Sequence, residues 1–68
     1  MMDNHITDPM IDMKFIVNDS GFTDQYFYKK MRQKEFPRPI KFGRSSRWYL
    51  SEYNKWKSNR EIESRKSQ

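Results

Sequence analysis

The sequence predicts a small α+β domain of two short helices, a β-hairpin and a C-terminal helix. Three observations carry that reading. Asp12 and Thr23 are helix-start residues that each precede apolar side chains at helical spacing, with Gly21 between the two segments. Pro37 and Pro39 end helical structure, and beyond them apolar and polar residues alternate on either side of Gly43, Arg44, Ser45 and Ser46. Ser51 then offers a third helix start.

Residues 1–10 have no periodicity and contain Pro9, so a flexible N-terminal arm is expected there. In the first helix, over about residues 13–20, Met13, Ile16 and Val17 recur at the spacing of one helix face, and Gly21 closes it by accepting a left-handed backbone. The second helix starts from Thr23, with Asp24 at the positive end of its dipole and Phe27 and Met31 inward. At about 100° per residue, Gln25, Lys29, Arg32 and Gln33 fall on the opposite face, with Tyr26 at its edge. Phe36 precedes a proline and is pushed towards extended backbone, so this helix stops before Pro37. In the hairpin, Ile40, Phe42, Trp48 and Leu50 are expected inward, and Lys41, Arg47 and Tyr49 outward. Ser51 is the expected N-cap of the last helix, which Tyr53 and Trp56 pack onto the core. The domain is expected over residues 11–60, and 61–68 read as a polar, frayed tail.

Composition bounds what such a domain can do. Its 68 residues bury only about 60% of the surface exposed by the unfolded chain, so any function sits on the surface. No cysteine is present, which removes disulfides and thiolate metal sites. There is neither a signal-peptide pattern nor an apolar run of membrane-spanning length, so the expected location is cytoplasmic, with no membrane partner.

The net charge of +5 is unevenly distributed. Residues 1–20 set Lys14 against Asp3, Asp8, Asp12 and Asp19, a net −3. Residues 21–48 set eight cations against Asp24 and Glu35, a net +6, and the remainder adds +2. A basic middle of this kind fits a polyanion. Two helices joined through a glycine-containing turn form a helix-turn-helix, and the adjacent hairpin is then a wing that lays cations along a phosphate strand. The expected partner is double-stranded DNA. Thr23, Gln25, Tyr26, Tyr28, Lys29, Arg32 and Gln33 are the candidate residues on the recognition helix, and Lys41, Arg44, Ser45, Ser46 and Arg47 those on the wing. Lys29, Arg32, Lys41, Arg44 and Arg47 would neutralise phosphates, while Gln25, Tyr26 and Lys29 are spaced for base edges. Trp48 and Trp56 read as core.

The stretch "GFTDQYFYKKMRQKEFPRPIKFGRSSRWYLSEYNKW", Gly21 to Trp56, resembles without a gap the AlpA family of prophage regulators and excisionases. The preceding "DMKFIVNDSGF" looks like the Tor inhibitor-like recombination directionality factors of this type. By this resemblance Tyr28 takes the family tyrosine position, Phe36, Pro37 and Pro39 the Phe-Pro-x-Pro element, Gly43 the turn glycine and Trp48 the wing tryptophan. Three positions depart. Asp24 stands where a basic residue is common, Lys30 where an apolar one is usual, and Lys34 where a glycine often ends the helix, which implies a less sharp end.

The resemblance implies a winged helix-turn-helix of the MerR type that binds attachment-site or promoter DNA. It implies an excisionase that steers an integrase towards excision of a prophage or genomic island by bending DNA, with several copies associating on adjacent sites. A transcriptional regulator of the AlpA kind and a protein-binding inhibitor of a regulator are the other readings. No enzyme is expected, because the single histidine, His5, lies in the arm and no nucleophile has a partner at catalytic spacing. No cofactor and no metal ligands are expected.

Overall fold

A computed structural model describes residues 8–66. Residues 1–7, including His5 and most of the expected arm, and residues 67–68 of the expected tail lie outside the described residues.

The first two helices form where their local signals place them. In α1 (Met13–Ser20) the Asp12 carboxylate accepts from Phe15 N–H at 2.9 Å. Gly21, at φ +82°, ends it by donating its N–H to the Val17 carbonyl. In α2 (Asp24–Arg32) Thr23 Oγ1 accepts from Tyr26 N–H, with Asp24 in the first turn and Lys29, Lys30 and Arg32 in the last. Both charge sets oppose the helix dipole favourably. The turn between α1 and α2 is three residues long, as in a helix-turn-helix.

The end of α2 is sharper than the sequence implies. Lys34 adopts φ +62°, the left-handed conformation usually left to glycine. Its N–H donates to Met31 O, and Glu35 N–H donates to Lys30 O at 2.8 Å, the paired bonds of a Schellman motif. The same two residues, Lys30 and Glu35, also form an ion pair at 3.2 Å, where an apolar contact commonly sits. Backbone bonding thus fixes the end without the glycine.

The sheet has three antiparallel strands: β1 (Met10–Ile11), β2 (Ile40–Phe42) and β3 (Ser45–Tyr49), in the order β1-β3-β2. β1 has no counterpart in the sequence reading. It pairs Met10 with Tyr49 and Ile11 with Trp48, so residues at the end of the expected arm flank the wing strand.

The hairpin register corrects the expected faces. Phe42 pairs with Ser45, Lys41 with Ser46 and Ile40 with Arg47, so only Gly43 and Arg44 form the turn. Gly43 has φ +63° and Arg44 does not have a positive φ, the pattern of a type II′ turn. Directly paired residues share a sheet face, and alternate residues change face. Ile40 and Phe42 therefore lie on the face opposite Trp48, and Phe42 is exposed. Leu50 is not a strand residue but the half-buried first residue of α3 (Leu50–Lys66).

Ser51 does not cap α3. The cap comes from 43 residues earlier: Asp8 accepts from Ser51 N–H and from Ser51 Oγ, both at 2.9 Å. Glu52 accepts from Tyr49 N–H, and Leu50 N–H donates to Pro9 O. The helix continues to Lys66, past the point where its apolar pattern dissolves. Neither glycine nor proline interrupts it, and the pairs Arg60–Glu63 and Glu61–Arg65 are spaced to support it.

Among the described residues the core is six buried side chains: Ile11, Ile16, Phe27, Phe36, Trp48 and Tyr53. Each comes from a different segment, β1, α1, α2, the α2–β2 connection, β3 and α3, so every segment except β2 is anchored by one buried residue. Fully burying a side chain of this size contributes roughly 1.5–3 kcal/mol. Together these elements make a small winged helix-turn-helix, with a hairpin wing following the two short helices and a third helix behind it.

Candidate nucleic-acid interface

Phe27 is fully buried and points α2 into the core, which turns the opposite side of the helix outward. Gln25, Tyr28, Lys29, Arg32 and Gln33 are all exposed there. At about 100° per residue they span roughly 140° of the helix surface. This face carries three neutral polar groups and two cations.

Tyr26 and Thr23 stand at its margin. The Tyr26 ring is half-buried and stacks on Phe22 at 4.6 Å, with Lys30 Nζ 5.5 Å from its centroid. Its ring faces are thus partly committed to packing. Thr23 Oγ1 is already the acceptor for the helix cap.

The ion pairs among the described residues use Lys30, Lys57, Arg60 and Arg65. Lys29, Arg32 and Arg44 take part in none of them. Cations left without acidic partners on one helix and one hairpin turn form a field that attracts a polyanion. Lys30, by contrast, is held by Glu35 and covers Tyr26.

On the wing, Arg44 and Ser45 are exposed at the turn. Lys41 Nζ donates to Ser46 Oγ across the strand pair at 2.9 Å. Arg47 is half-buried, and its Nη1 donates to the carbonyl of Ser46. Arg44 is therefore the wing cation with the greatest freedom to reach a phosphate, while Lys41 and Arg47 are held near the hairpin backbone.

The α2–β2 connection joins helix and wing rigidly. Phe36 lies against Phe27 at 5.0 Å, Trp56 at 4.9 Å and Trp48 at 6.0 Å between ring centroids. Trp56 Nε1–H donates to Glu35 O at 2.7 Å, and Trp48 Nε1–H donates to Pro37 O at 2.9 Å. The carbonyls on either side of Phe36 are thus each taken by an indole. Both tryptophans serve the core, as their spacing in the sequence indicates.

Two cations absent from the candidate residues named above belong beside them. Lys34 and Arg38 are exposed and line a shallow groove with Arg32, Met31 and Phe36 at the end of α2. Their signal is present in the sequence: Arg38 sits between two prolines that fix the backbone on either side, and Lys34 occupies the usual glycine position.

On the other side, Tyr53 Oη donates to Asp19 Oδ2 at 2.7 Å and Lys57 Nζ binds the same oxygen at 2.8 Å, tying α3 to α1. Lys57, then Tyr53, hold the Asp19 carboxyl below its ordinary value. Burial first, and the bond to Asp19 second, push the Tyr53 phenol well above its ordinary range. The three groups form a structural tie behind α2. No group of three or more His, Cys, Asp or Glu able to hold a metal occurs among the described residues. No helix among them is long and apolar enough to cross a membrane.

No curated protein and no solved structure matches this chain. The family model of the prophage CP4-57 regulatory protein (AlpA) matches residues 10–61. That span begins at β1 and takes in both short helices, the wing and most of α3. The chain belongs to the AlpA family of prophage regulatory, DNA-binding proteins.

Proposed function

We propose that this protein is an excisionase, a recombination directionality factor that binds attachment-site DNA sequence-specifically and bends it so that an integrase excises a prophage or genomic island. The observation that carries this reading is the exposed α2 face of Gln25, Tyr28, Lys29, Arg32 and Gln33, free of acidic partners, in a chain of the AlpA family.

The roles follow from the chemistry of each group. Lys29, Arg32 and Arg44 neutralise phosphates, with Lys41 and Arg47 beside them, and so make affinity strongly salt-dependent. Gln25 reads a base edge, for which a good bidentate contact discriminates by about 1–3 kcal/mol. Tyr26 contributes from the margin through its hydroxyl, since its ring is packed. One domain with so few base contacts needs help, so adjacent copies occupy repeated sites and integrase completes the complex. The site of action is then the bacterial nucleoid.

A second reading is control of an integrase or prophage promoter by the same face. The family's description as regulatory favours it, and the two roles are compatible.

Footprinting the purified protein across the attachment site and integrase promoter of its own element, near physiological salt and with scrambled competitor, tests both. Discrete protected repeats beside the attachment site are expected. Protection confined to a promoter would assign the regulatory role, and sequence-blind coating would defeat specific recognition and favour a protein-binding inhibitor.

A further inference from the structure

We propose that Phe42 is an apolar wedge that the wing inserts between stacked base pairs in the minor groove, and that it supplies the bend. This rests on the DNA-binding reading above and assigns the distortion to one side chain.

The hairpin register sets up the argument. By placing Phe42 opposite Ser45, it turns the ring away from Trp48 and the core, and leaves it 56% exposed. No other large hydrophobic side chain among the described residues is so open. Isolated exposed apolar groups are ordinary, so exposure alone decides nothing. Two further facts set Phe42 apart from the other phenylalanines. Phe15, Phe22, Phe27 and Phe36 each contact another aromatic ring, and Phe42 contacts none. It is also the last residue of β2, directly before the Gly43-Arg44 turn, at the narrow end of a two-residue hairpin.

Its neighbours select the occupant. Arg44 follows it in the turn and Arg47 lies on the same sheet face, while Lys41 is on the opposite one. The equivalent wing of a second copy would bring like charge to that surface. A polyanion that also offers flat apolar surfaces is required, and stacked base pairs between two rows of phosphates meet both needs. Phenylalanine is among the side chains that proteins insert between base steps, unstacking them and kinking the duplex by about 20–90°. Pyrimidine–purine steps open most easily, so the wedge would also favour sites with such a step under the wing.

The test uses the full chain and a short duplex carrying one protected repeat from the footprint. 2-Aminopurine is placed at successive positions to report unstacking, and dyes at the duplex ends report bending by energy transfer. The wild type should raise 2-aminopurine fluorescence at one step and shorten the end-to-end distance. Phe42→Ala should bind within about tenfold of the wild type while losing both signals, because the contact and the cost of unstacking disappear together. Phe42→Leu, which keeps an apolar wedge, should restore them in part. Identical signals from Phe42→Ala and the wild type would overturn the proposal, as would tight wild-type binding with no unstacked step. A Phe42→Ala effect confined to cooperativity on two-repeat DNA would also overturn it, in favour of contact between copies. If the wild type fails to bind any repeat discretely, it is the DNA-binding reading that falls. Circular dichroism and melting of Phe42→Ala should match the wild type, since the side chain lies outside the core.

Discussion

The segment joining α2 to the wing and the wing itself are neighbours in sequence and opposites in construction. Phe36 is enclosed by three rings, and the carbonyls on either side of it are occupied by indole N–H groups. Four residues later β2 begins, and it contributes nothing to the buried core. One region positions and the other is proposed to make contact, so substitutions in the two should separate stability from binding.

Phe36→Ala should have the largest effect. Emptying that site should cost about 3–5 kcal/mol, enough to unfold much of a domain this small, and urea denaturation would measure it. A loss below about 1 kcal/mol would mean that the connection is not part of the core.

The combined Lys29→Ala and Arg44→Ala substitutions should do the reverse. Both side chains are exposed, so the melting temperature should hold while the slope of log affinity against log salt falls by about 1.8. A lower melting temperature with an unchanged slope would erase the distinction between the regions.

Lys34→Gly sharpens it. Glycine relieves the left-handed strain at φ +62° but gains freedom in the unfolded chain, and the net should be a stabilisation of about 0.5–1 kcal/mol. If Lys34 also meets a phosphate, the same variant will be more stable and bind more weakly.

The smallest effect should be seen in the pH dependence of stability. Lys57 and Tyr53 hold the Asp19 carboxyl below its ordinary 3.8. Its contribution is therefore complete above that value and is lost as pH falls through the lowered one. For Tyr53 the sign reverses: burial and the Asp19 bond raise the phenol above its ordinary 10.0, so its contribution is complete below 10.0 and declines as pH rises beyond it. Urea midpoints of Asp19→Asn should show a flatter acid limb than the wild type.

What the sequence made legible was what is local. Asp12, Gly21 and Thr23 each act within four residues, and both ends of α1 and the start of α2 fall where those residues indicate. The exposed α2 face followed from periodicity once Phe27 was taken as buried. The missed features depend on partners distant in the chain or on which residues pair across strands. Asp8 caps a helix 43 residues away, and β1 is only two residues long. The turn has two residues, not the four of Gly43 to Ser46, but either length puts Phe42 on the face of Ser45 and Arg47. The expectation of Phe42 inside comes from giving the apolar residues of both strands one face without fixing which residues pair. Lys34 in place of the usual glycine implies a less sharp helix end, although the backbone bonds are complete without glycine.

The position of β1 affects how faithfully the wing can be built. β3 is the central strand, paired with β2 on one side and β1 on the other. A hairpin in which β3 slid by one residue would have to break Ile11 from Trp48 as well, and pull Leu50 from its bond to Pro9. Met10 and Ile11 thus act as a brake on β3 for a turn more than thirty positions later, opposing any sliding of that strand that would change the side chains at its tip.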